Sequence, residues 1–248
     1  MDPKRAVQAQ FGRVAQSYST STVFSQGVDL DVIGREAASA GPSRALDVGT
    51  AAGHVAFTLA PHARLVVGLD LTHPMLATAR DEASARGIGN LRLCQADVEQ
   101  LPFPGGSFDL VTCRFSGHHF PSPDRFAREA GRVLGSGGRL ILADVVSPAD
   151  DRQDRWINQV ELLRDPSHVR DYKLAEWRGL LGAAGLATEV LLEWRLDLDF
   201  EDWTRRQRTP PERVEQIRSL FRQAPADQRE AFGLRMPADG RWFFQLHC

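Results

Sequence analysis

The stretch Ala45-Leu-Asp-Val-Gly-Thr-Ala-Ala-Gly-His-Val-Ala56, followed by Val66-Val-Gly-Leu-Asp70, decides the fold of this chain. Each apolar run carries an acid at or next to its end, and a turn of small residues follows the first run. Short apolar runs are typical of parallel strands that are buried on both faces. Small residues let the backbone approach a ligand and let the next helix start against the sheet. The two runs therefore predict the first βαβ unit of a doubly wound α/β sheet.

The two acids indicate what such a sheet would bind. Asp70 suits the hydroxyl pair of a ribose, because a carboxylate accepts two hydrogen bonds side by side. Asp47 would repel a pyrophosphate but suits an ammonium group, and the G-x-G-x-x-G pattern of dinucleotide sites is missing. S-adenosylmethionine has both a ribose and an amine, so it fits this pair of acids better than NAD does. A different reading of Asp47, as an acid that caps a helix or braces a loop, stays open.

Further motifs follow in order through most of the chain. They occupy residues 46–53, 70–76, 97–104, 107–114, 118–120, 129–138 and 163–170. With these motifs the chain resembles class I S-adenosylmethionine-dependent methyltransferases of the ubiquinone/menaquinone-biosynthesis type, and most closely their YcgJ-like branch. One residue departs from the pattern, since Ala51 stands where the family usually has glycine. The resemblance implies a doubly wound, seven-stranded, mostly parallel sheet of the Rossmann-like kind, with an antiparallel final pair of strands and helical cap insertions.

Composition limits the classes of protein that remain. The chain has 248 residues and 42% hydrophobic residues, enough for one large core. Its net charge of −2 argues against a nucleic-acid-binding face, and no apolar run approaches the roughly 18 residues of a membrane span. We expect a cytoplasmic monomer or homodimer, because the N-terminus lacks an apolar signal core and the cysteines read as reduced thiols. The predicted organisation is a single domain over residues 1–248, with an N-terminal helical lid at 1–40, a cofactor-binding core at 41–146, and an acceptor cap at 149–170 and 198–234.

The motifs and the resemblance together imply a set of cofactor contacts. Asp97 would accept the adenine amino group beside the backbone of Val98, and Arg114 would pair with the cofactor carboxylate as a fork. Other readings stay open: Met75 as core, Asp97 as a solvated loop acid, and Arg114 as a bridge between loops. Tyr18 would close over the cofactor, or else would form the edge of an N-terminal helical core. The full predicted set is Tyr18, Asp47, Gly49, Thr50, Ala51, Gly53, Asp70, Leu71, Met75, Asp97, Val98, Arg114 and Phe115.

Catalysis of methyl transfer requires an in-line approach and, for some acceptors, a base. His118 and His119 follow the fourth predicted strand, and a neutral imidazole can take a proton near neutrality. Both could instead be structural. The basic residues Arg164, His168 and Arg170 form a loop that would hold an anionic acceptor, or would brace the lid through Asp165. No metal is expected, because the H-x-x-x-H and clustered-cysteine patterns are missing.

The predicted function is transfer of a methyl group from S-adenosylmethionine to a small-molecule acceptor, which leaves S-adenosylhomocysteine. The segment Cys113-Arg-Phe-Ser116 lacks the Asn/Asp-Pro-Pro-aromatic motif of enzymes that methylate exocyclic amines. Four tryptophans would suit an aromatic acceptor pocket or the core: Trp156, Trp177, Trp194 and Trp203. One alternative is a cyclase or pericyclase that binds the same cofactor without transferring methyl. A remoter one is a nicotinamide-dependent oxidoreductase.

Overall fold

The computed structural model of the chain describes residues 2–19, 25–238 and 240–248, and for residues 16–19 it describes the backbone alone. At its centre lies a parallel sheet of five strands in the order β3-β2-β1-β4-β5. The strands are β1 (Arg44–Val48), β2 (Leu65–Asp70), β3 (Leu91–Gln95), β4 (Phe108–Arg114) and β5 (Leu134–Ala143). The order reverses between β1 and β4, which is where doubly wound sheets bind their ligands.

Helices cover both faces of this sheet. The helices that precede or connect its strands are α1 (Pro3–Ser19), α2 (Val28–Ala40), α3 (His54–Leu59), α4 (His73–Ala85) and α5 (Pro123–Val133). On one face, Ala45, Val66 and Leu110 of the strands pack with α2 and α3. On the other face, Leu46 and Val111 pack with α5. Because successive strand residues point to opposite faces, continuous apolar runs are what a sheet covered on both sides requires.

The second half of the chain forms a cap with a hydrophobic core of its own. It comprises α6 (Asp151–Arg164), α8 (Phe200–Arg206), α9 (Pro211–Gln223) and α10 (Ala226–Ala231), with strands β6 (Arg195–Asp199) and β7 (Phe243–His247). Between them, α7 (Leu174–Ala183) packs against α5 and the sheet core through Trp177. Trp156, Phe200, Trp203, Phe221 and Phe244 meet in this cap core, and the last four are almost fully buried. No helix among the described residues is both long and apolar enough to cross a bilayer.

The α/β class and the parallel sheet are confirmed, but the predicted number of seven strands in one sheet is wrong. The main sheet has five strands, and β6 and β7 form a separate antiparallel pair. The apolar run Leu186–Trp194, which we expected to be the sixth strand, forms no ladder among the described residues. The alternating run Arg195-Leu-Asp-Leu-Asp199 pairs with β7 instead, because its leucines face the cap core while its charged side chains face outward.

Candidate cofactor and acceptor site

A cavity opens at the carboxyl edge of β1, β2 and β4, and α1 lies across it. Strand ends and the turns that follow them supply most of its lining, as expected of a doubly wound sheet. Twelve of the predicted site residues come together here: Asp47, Gly49, Thr50, Ala51, Asp70, Leu71, Met75, Asp97, Val98, Arg114, Phe115 and His119.

Asp47 presents an unpartnered carboxylate oxygen at the base of the cavity. Its Oδ1 accepts a hydrogen bond of 2.9 Å from the Thr112 hydroxyl. Its Oδ2 is buried and has no hydrogen-bond partner among the described residues, and the same holds for the hydroxyl of Thr50. Burial raises the pKa of Asp47 to about 6, although the neighbouring hydroxyls of Thr50 and Thr112 favour its ionised form. A buried, unpaired acceptor is costly, so this pair of oxygens is suited to a ligand that brings its own donor.

Asp70 braces the turn that follows β1. Its Oδ2 accepts from the backbone N–H of Ala51 at 2.9 Å, and its Oδ1 accepts from the backbone N–H of Thr72 at 2.8 Å. Burial raises the pKa of Asp70, although these backbone donors favour the ionised form. A carboxylate has about four acceptor positions, so two remain for a ligand that lies in the cavity.

Two residues that are not glycine hold a left-handed backbone at the cavity wall. Ala51 has φ 47° and Phe115 has φ 48°. Such values are uncommon outside glycine and are often found at functional sites. Gly49 has φ 66°, and a side chain there would collide with the side chain of Ser116. The two turns, after β1 and after β4, therefore touch each other at the point where the cavity begins.

Arg114 is held by an acid of α2. Its guanidinium donates to both carboxylate oxygens of Asp29 on α2, and both side chains are nearly fully buried. Its charge also lies over the ring of Phe115, 4.7 Å from the centroid. The Arg114 guanidinium thus ties the end of β4 to α2, and the predicted fork to a cofactor carboxylate stays a prediction.

The helix α1 supplies a wall of the cavity that sequence reasoning missed. Lys4, Val7 and Phe11 line the cavity and lie three and four residues apart, which places them on one face of the helix. The Lys4 ammonium donates to Asp97 at 2.5 Å and to Glu99 at 2.6 Å. The spacing of these three residues was the signal that could have identified them in the sequence.

The two adjacent histidines have different surroundings. The Nδ1 atom of His118 lies 2.6 Å from a carboxylate oxygen of Asp144. Burial opposes a charge on His118, but Asp144 outweighs it and the pKa of His118 rises to about 9. Burial and the neighbouring His118 charge lower the pKa of His119 to about 4. Near neutrality His118 is therefore protonated and His119 is neutral.

The protonated nitrogen of His119 follows from its partner. Nδ1 lies 3.0 Å from the backbone carbonyl of Ser167, which can only accept a hydrogen bond. Nδ1 therefore carries the proton, and Nε2 carries the lone pair. The ring of Phe11 meets His119 edge to face, with centroids 4.9 Å apart. His119 lines the cavity, whereas His118 lies outside its described lining.

The predicted acceptor-binding residues lie elsewhere in the cap. Arg164 pairs with Glu161 at 3.3 Å and covers the ring of Trp203. His168 lies 3.1 Å from the Asn158 side chain, and burial together with nearby positive charges lowers its pKa to about 2. The Arg170 guanidinium pairs with acids of α6 and α7. All three lie outside the described lining of the cavity, so their binding of an acceptor stays a prediction.

Of the remaining predicted residues, some are part of turns or hydrophobic cores, and one has a side chain outside the described part of the structure. Gly53 closes the turn after β1 through its N–H, which donates to the Thr50 carbonyl at 2.8 Å. Tyr18 lies in the last turn of α1, and its side chain is outside the described residues. Met75 is almost fully buried against α1 as well as lining the cavity.

The four tryptophans, Trp156, Trp177, Trp194 and Trp203, lie outside the described lining of the cavity, and three of them are buried in hydrophobic cores. Within the described parts of the chain, no group of three His, Cys, Asp or Glu side chains is placed to hold a metal.

Comparisons with known proteins agree with this geometry. Residues 46–142, which include the turns after β1, β2 and β4, match the model of a methyltransferase domain family. The uncharacterized methyltransferase YcgJ of Bacillus subtilis is 35% identical over 234 residues, which are 94% of this chain and 92% of that protein. Its crystal structure superimposes with a TM-score of 0.85 and covers 88% of this chain and 94% of the other. A demethylmenaquinone methyltransferase of Deinococcus radiodurans is 38% identical over 154 residues, 60% of this chain and 64% of that protein. The chain therefore belongs to the class I S-adenosylmethionine-dependent methyltransferases, among the relatives of YcgJ.

Proposed function

We propose that this methyltransferase transfers the methyl group of S-adenosylmethionine to a small-molecule acceptor, with His119 as the base. The observation that carries the proposal is the unpartnered Oδ2 of Asp47, buried at the carboxyl edge of the sheet in a cavity that Asp70 also lines. A buried carboxylate is stabilised by a cationic donor, and an ammonium group is one. The negative net charge of the chain supports a small acceptor over a nucleic acid.

Different residues of the cavity would bind three parts of the cofactor: its ammonium group, its ribose and its adenine. Asp47 and the hydroxyl of Thr50 would receive the ammonium group, and Asp70 would receive the ribose hydroxyls through its two remaining acceptor positions. Asp97 would accept the adenine amino group beside Val98. Because Lys4 binds Asp97 in this structure, the adenine amino group and Lys4 would share that carboxylate. Bound in this way, the sulfonium supplies an activated methyl group, and the protein has to align the acceptor with it.

His119 is the better placed of the two candidate bases. A base must offer a lone pair to the acceptor. His119 lines the cavity, and its Nδ1–H is bound to Ser167, which leaves the lone pair on Nε2. His118 is protonated near neutrality because Asp144 stabilises its charge, so it has no lone pair to offer. The rings of Phe11 and Phe115 would exclude water from the same end of the cavity. This division gives His119 the proton-accepting role and leaves His118 a structural one.

The alternative of a cofactor-binding cyclase is not favoured. YcgJ, which matches 94% of the chain, is named a methyltransferase, and the cavity contains a neutral histidine that methyl transfer to an acidic acceptor would use. A nicotinamide oxidoreductase would have to place a pyrophosphate beside Asp47, where the like charges repel each other.

The first experiment is calorimetric titration of the purified protein with S-adenosylmethionine, S-adenosylhomocysteine and NAD, each alone. We expect micromolar or tighter binding of the two sulfur ligands and no heat from NAD. Asp70→Ala should abolish the binding, while Asp81→Ala, an exposed acid on α4, should leave it unchanged. Absence of binding by both sulfur ligands would refute the proposal.

The second experiment separates the two histidines once an acceptor has been found among small molecules tested with methyl-labelled cofactor. His119→Gln should lower the turnover of labelled methyl by about 10²-fold, the low end of the usual contribution of a general base, because a pKa of about 4 makes His119 a weak proton acceptor at neutral pH. Its affinity for S-adenosylhomocysteine should change little. His118→Gln should keep a larger share of the turnover. If both variants lost turnover equally, the assignment of the base to His119 would be wrong.

A further inference from the structure

A buried chain of hydrogen bonds begins on α1, at the residue next to Phe11. The side-chain amide of Gln10 donates to the backbone carbonyl of Gln207 at 2.7 Å and to its side-chain oxygen at 3.1 Å. Gln207 directly follows α8 in the cap. The exposed fractions of the two glutamines are 1% and 3%, so water does not compete for these bonds. The first helix of the chain is thus bonded to a residue 197 positions away.

The series of hydrogen bonds continues from Gln207 into the loop that follows α6. The Gln207 side-chain amide donates to Oδ2 of Asp165 at 2.8 Å. The other oxygen of Asp165 accepts from the backbone N–H of Ser167 at 2.8 Å and from its hydroxyl at 2.6 Å. Asp165 and Ser167 are also almost fully buried. Both oxygens of the carboxylate are therefore used to fix one short loop.

The last hydrogen bond of this series joins that loop to His119. The carbonyl of Ser167 accepts the hydrogen bond from Nδ1 of His119, so its position decides which ring nitrogen is protonated. The loop is also tied to the histidine turn by the backbone, since the N–H groups of Val169 and Arg170 donate to the carbonyl of His118. The orientation of His119 thus depends on a loop that Gln207 holds.

The helix α1 also reaches His119 directly. Phe11 packs edge to face against the imidazole, while Gln10 reaches the cap. The titratable groups around His119 come from three places: His118 in its own turn, Asp144 at the end of β5, and Asp165 with the neutral His168 in the loop after α6. On the α1 side, Phe11 and Gln10 are uncharged, and the Arg13 guanidinium donates to the side-chain oxygen of Gln10.

We propose that Gln10 and Gln207 are positioning residues that couple the docking of α1 to the orientation of His119. When α1 is docked, Gln10 binds Gln207, Gln207 binds Asp165, and the Ser167 carbonyl holds His119 with Nε2 as the lone-pair nitrogen. When α1 leaves, Gln207 loses Gln10 as a buried partner, so its own bond to Asp165 is less constrained, and Phe11 no longer covers the ring. The base is then assembled only under a closed lid. This inference rests on the proposed role of His119 in the transfer.

The test is the tautomeric state of His119, read from long-range nitrogen–proton NMR spectra of the histidine rings in the full-length protein. Wild type is compared with Gln10→Leu and Gln207→Leu, and His119→Gln assigns the signals. Gln8→Leu is the matched control, because Gln8 lies on the same helix and its amide donates to the carbonyl of Leu71, outside this chain of bonds. Thermal melts confirm that each variant is folded.

We expect one tautomer of His119 in the wild type and in Gln8→Leu, with the proton on Nδ1. In both test variants we expect a mixture of tautomers and a titration midpoint closer to the ordinary histidine value of about 6.5. Unchanged His119 signals in a folded Gln10→Leu protein would overturn the inference, even if Gln207→Leu failed to fold. The readout needs no cofactor, so failure of S-adenosylhomocysteine to bind would refute the proposed function separately.

Discussion

Ala51 holds a backbone conformation that glycine adopts more easily, at φ 47°. The left-handed region costs a residue with a Cβ roughly 1–2 kcal/mol, while glycine loses about 0.4–1 kcal/mol through the greater freedom of the unfolded chain. We therefore expect Ala51→Gly to raise the free energy of unfolding by about 0.5–1 kcal/mol, measured by urea denaturation. The hydrogen bond from the backbone N–H of residue 51 to Asp70 is unaffected by this change.

The neighbouring Ala52 provides the control for Ala51→Gly. Ala52 is fully buried against Val14 and Met75 and is outside the left-handed region. Ala52→Gly should therefore lower the free energy of unfolding by about 1 kcal/mol. The variant loses a buried methyl group in the folded state, and glycine raises the conformational entropy of the unfolded state. If both substitutions destabilised the protein, the strain at Ala51 would be too small to matter.

The pKa of Asp47, about 6, makes ligand binding depend on pH. Burial raises this pKa above the ordinary value of 3.8, so ionisation of Asp47 costs folding stability as the pH rises through 6. An ammonium group in the cavity favours the ionised form, and its binding then releases a proton below pH 6. We expect the affinity for S-adenosylhomocysteine to rise about ten-fold between pH 5 and pH 7, measured by calorimetry.

Asp47→Asn removes the titrating group while keeping its shape. This variant should bind more weakly at pH 7 and should lose the part of the pH dependence that belongs to Asp47. Asp70 stays in place, and any small dependence that is left would be attributed to its raised pKa. Retention of the whole ten-fold change by Asp47→Asn would show that another group controls binding.

At the scale of the element, the docking of α1 depends on Lys4. Its ammonium binds Asp97 and Glu99, and the side chains of Lys4 and Asp97 are about one-third exposed, 30% and 31%. Partly exposed ion pairs contribute about 0.2–1 kcal/mol. Lys4→Met should therefore open α1 more often and raise the hydrogen-exchange rates of its amides by up to about five-fold, measured by mass spectrometry.

Arg5→Met is the matched control for this helix. It removes the same charge from an exposed position one residue further along, and Arg5 lies outside the described lining of the cavity. Exchange in α1 should stay at the wild-type rate in this variant. Equal acceleration by both substitutions would mean that helix charge in general, and not the contact with Asp97 and Glu99, controls the docking.

The elements that the sequence predicted well are those with local signals. Strands β1 and β2 are short apolar runs next to acids and small residues, and they form where expected. The run Leu186–Trp194 has a similar apolar character but forms no ladder in the described chain, while Arg195–Asp199 pairs with β7. That pairing depends on a partner nearly fifty residues away, which no local pattern contains.

The site shows the same division at the scale of the whole molecule. Asp47 and Asp70 lie at the carboxyl ends of β1 and β2, and Asp97 follows β3. Parallel strands bring their carboxyl ends to one edge, so the meeting of these acids in one cavity could be predicted. The hydrogen bonds from Gln10 to Gln207 and from His119 to Ser167 join distant segments. Buried polar pairs of this kind have no periodicity in the sequence, because each requires only that one donor meet one acceptor after folding.

The cap and the sheet have separate hydrophobic cores, so damage to one should spare the other. Phe221 is fully buried in the cap core and packs within 5.7 Å, centroid to centroid, of the rings of Trp156, Phe200 and Phe244. Phe221→Ala should lower the free energy of unfolding by about 3–5 kcal/mol, the usual cost of removing a buried aromatic ring. Its affinity for S-adenosylhomocysteine should fall little at temperatures where the variant is folded, because Asp47 and Asp70 belong to the sheet.

Leu162→Ala, an exposed cap position, should change the free energy of unfolding by less than about 0.5 kcal/mol. Loss of ligand binding by a folded Phe221→Ala protein, seen by calorimetry beside far-ultraviolet circular dichroism, would mean that the cap core also shapes the cofactor half of the cavity.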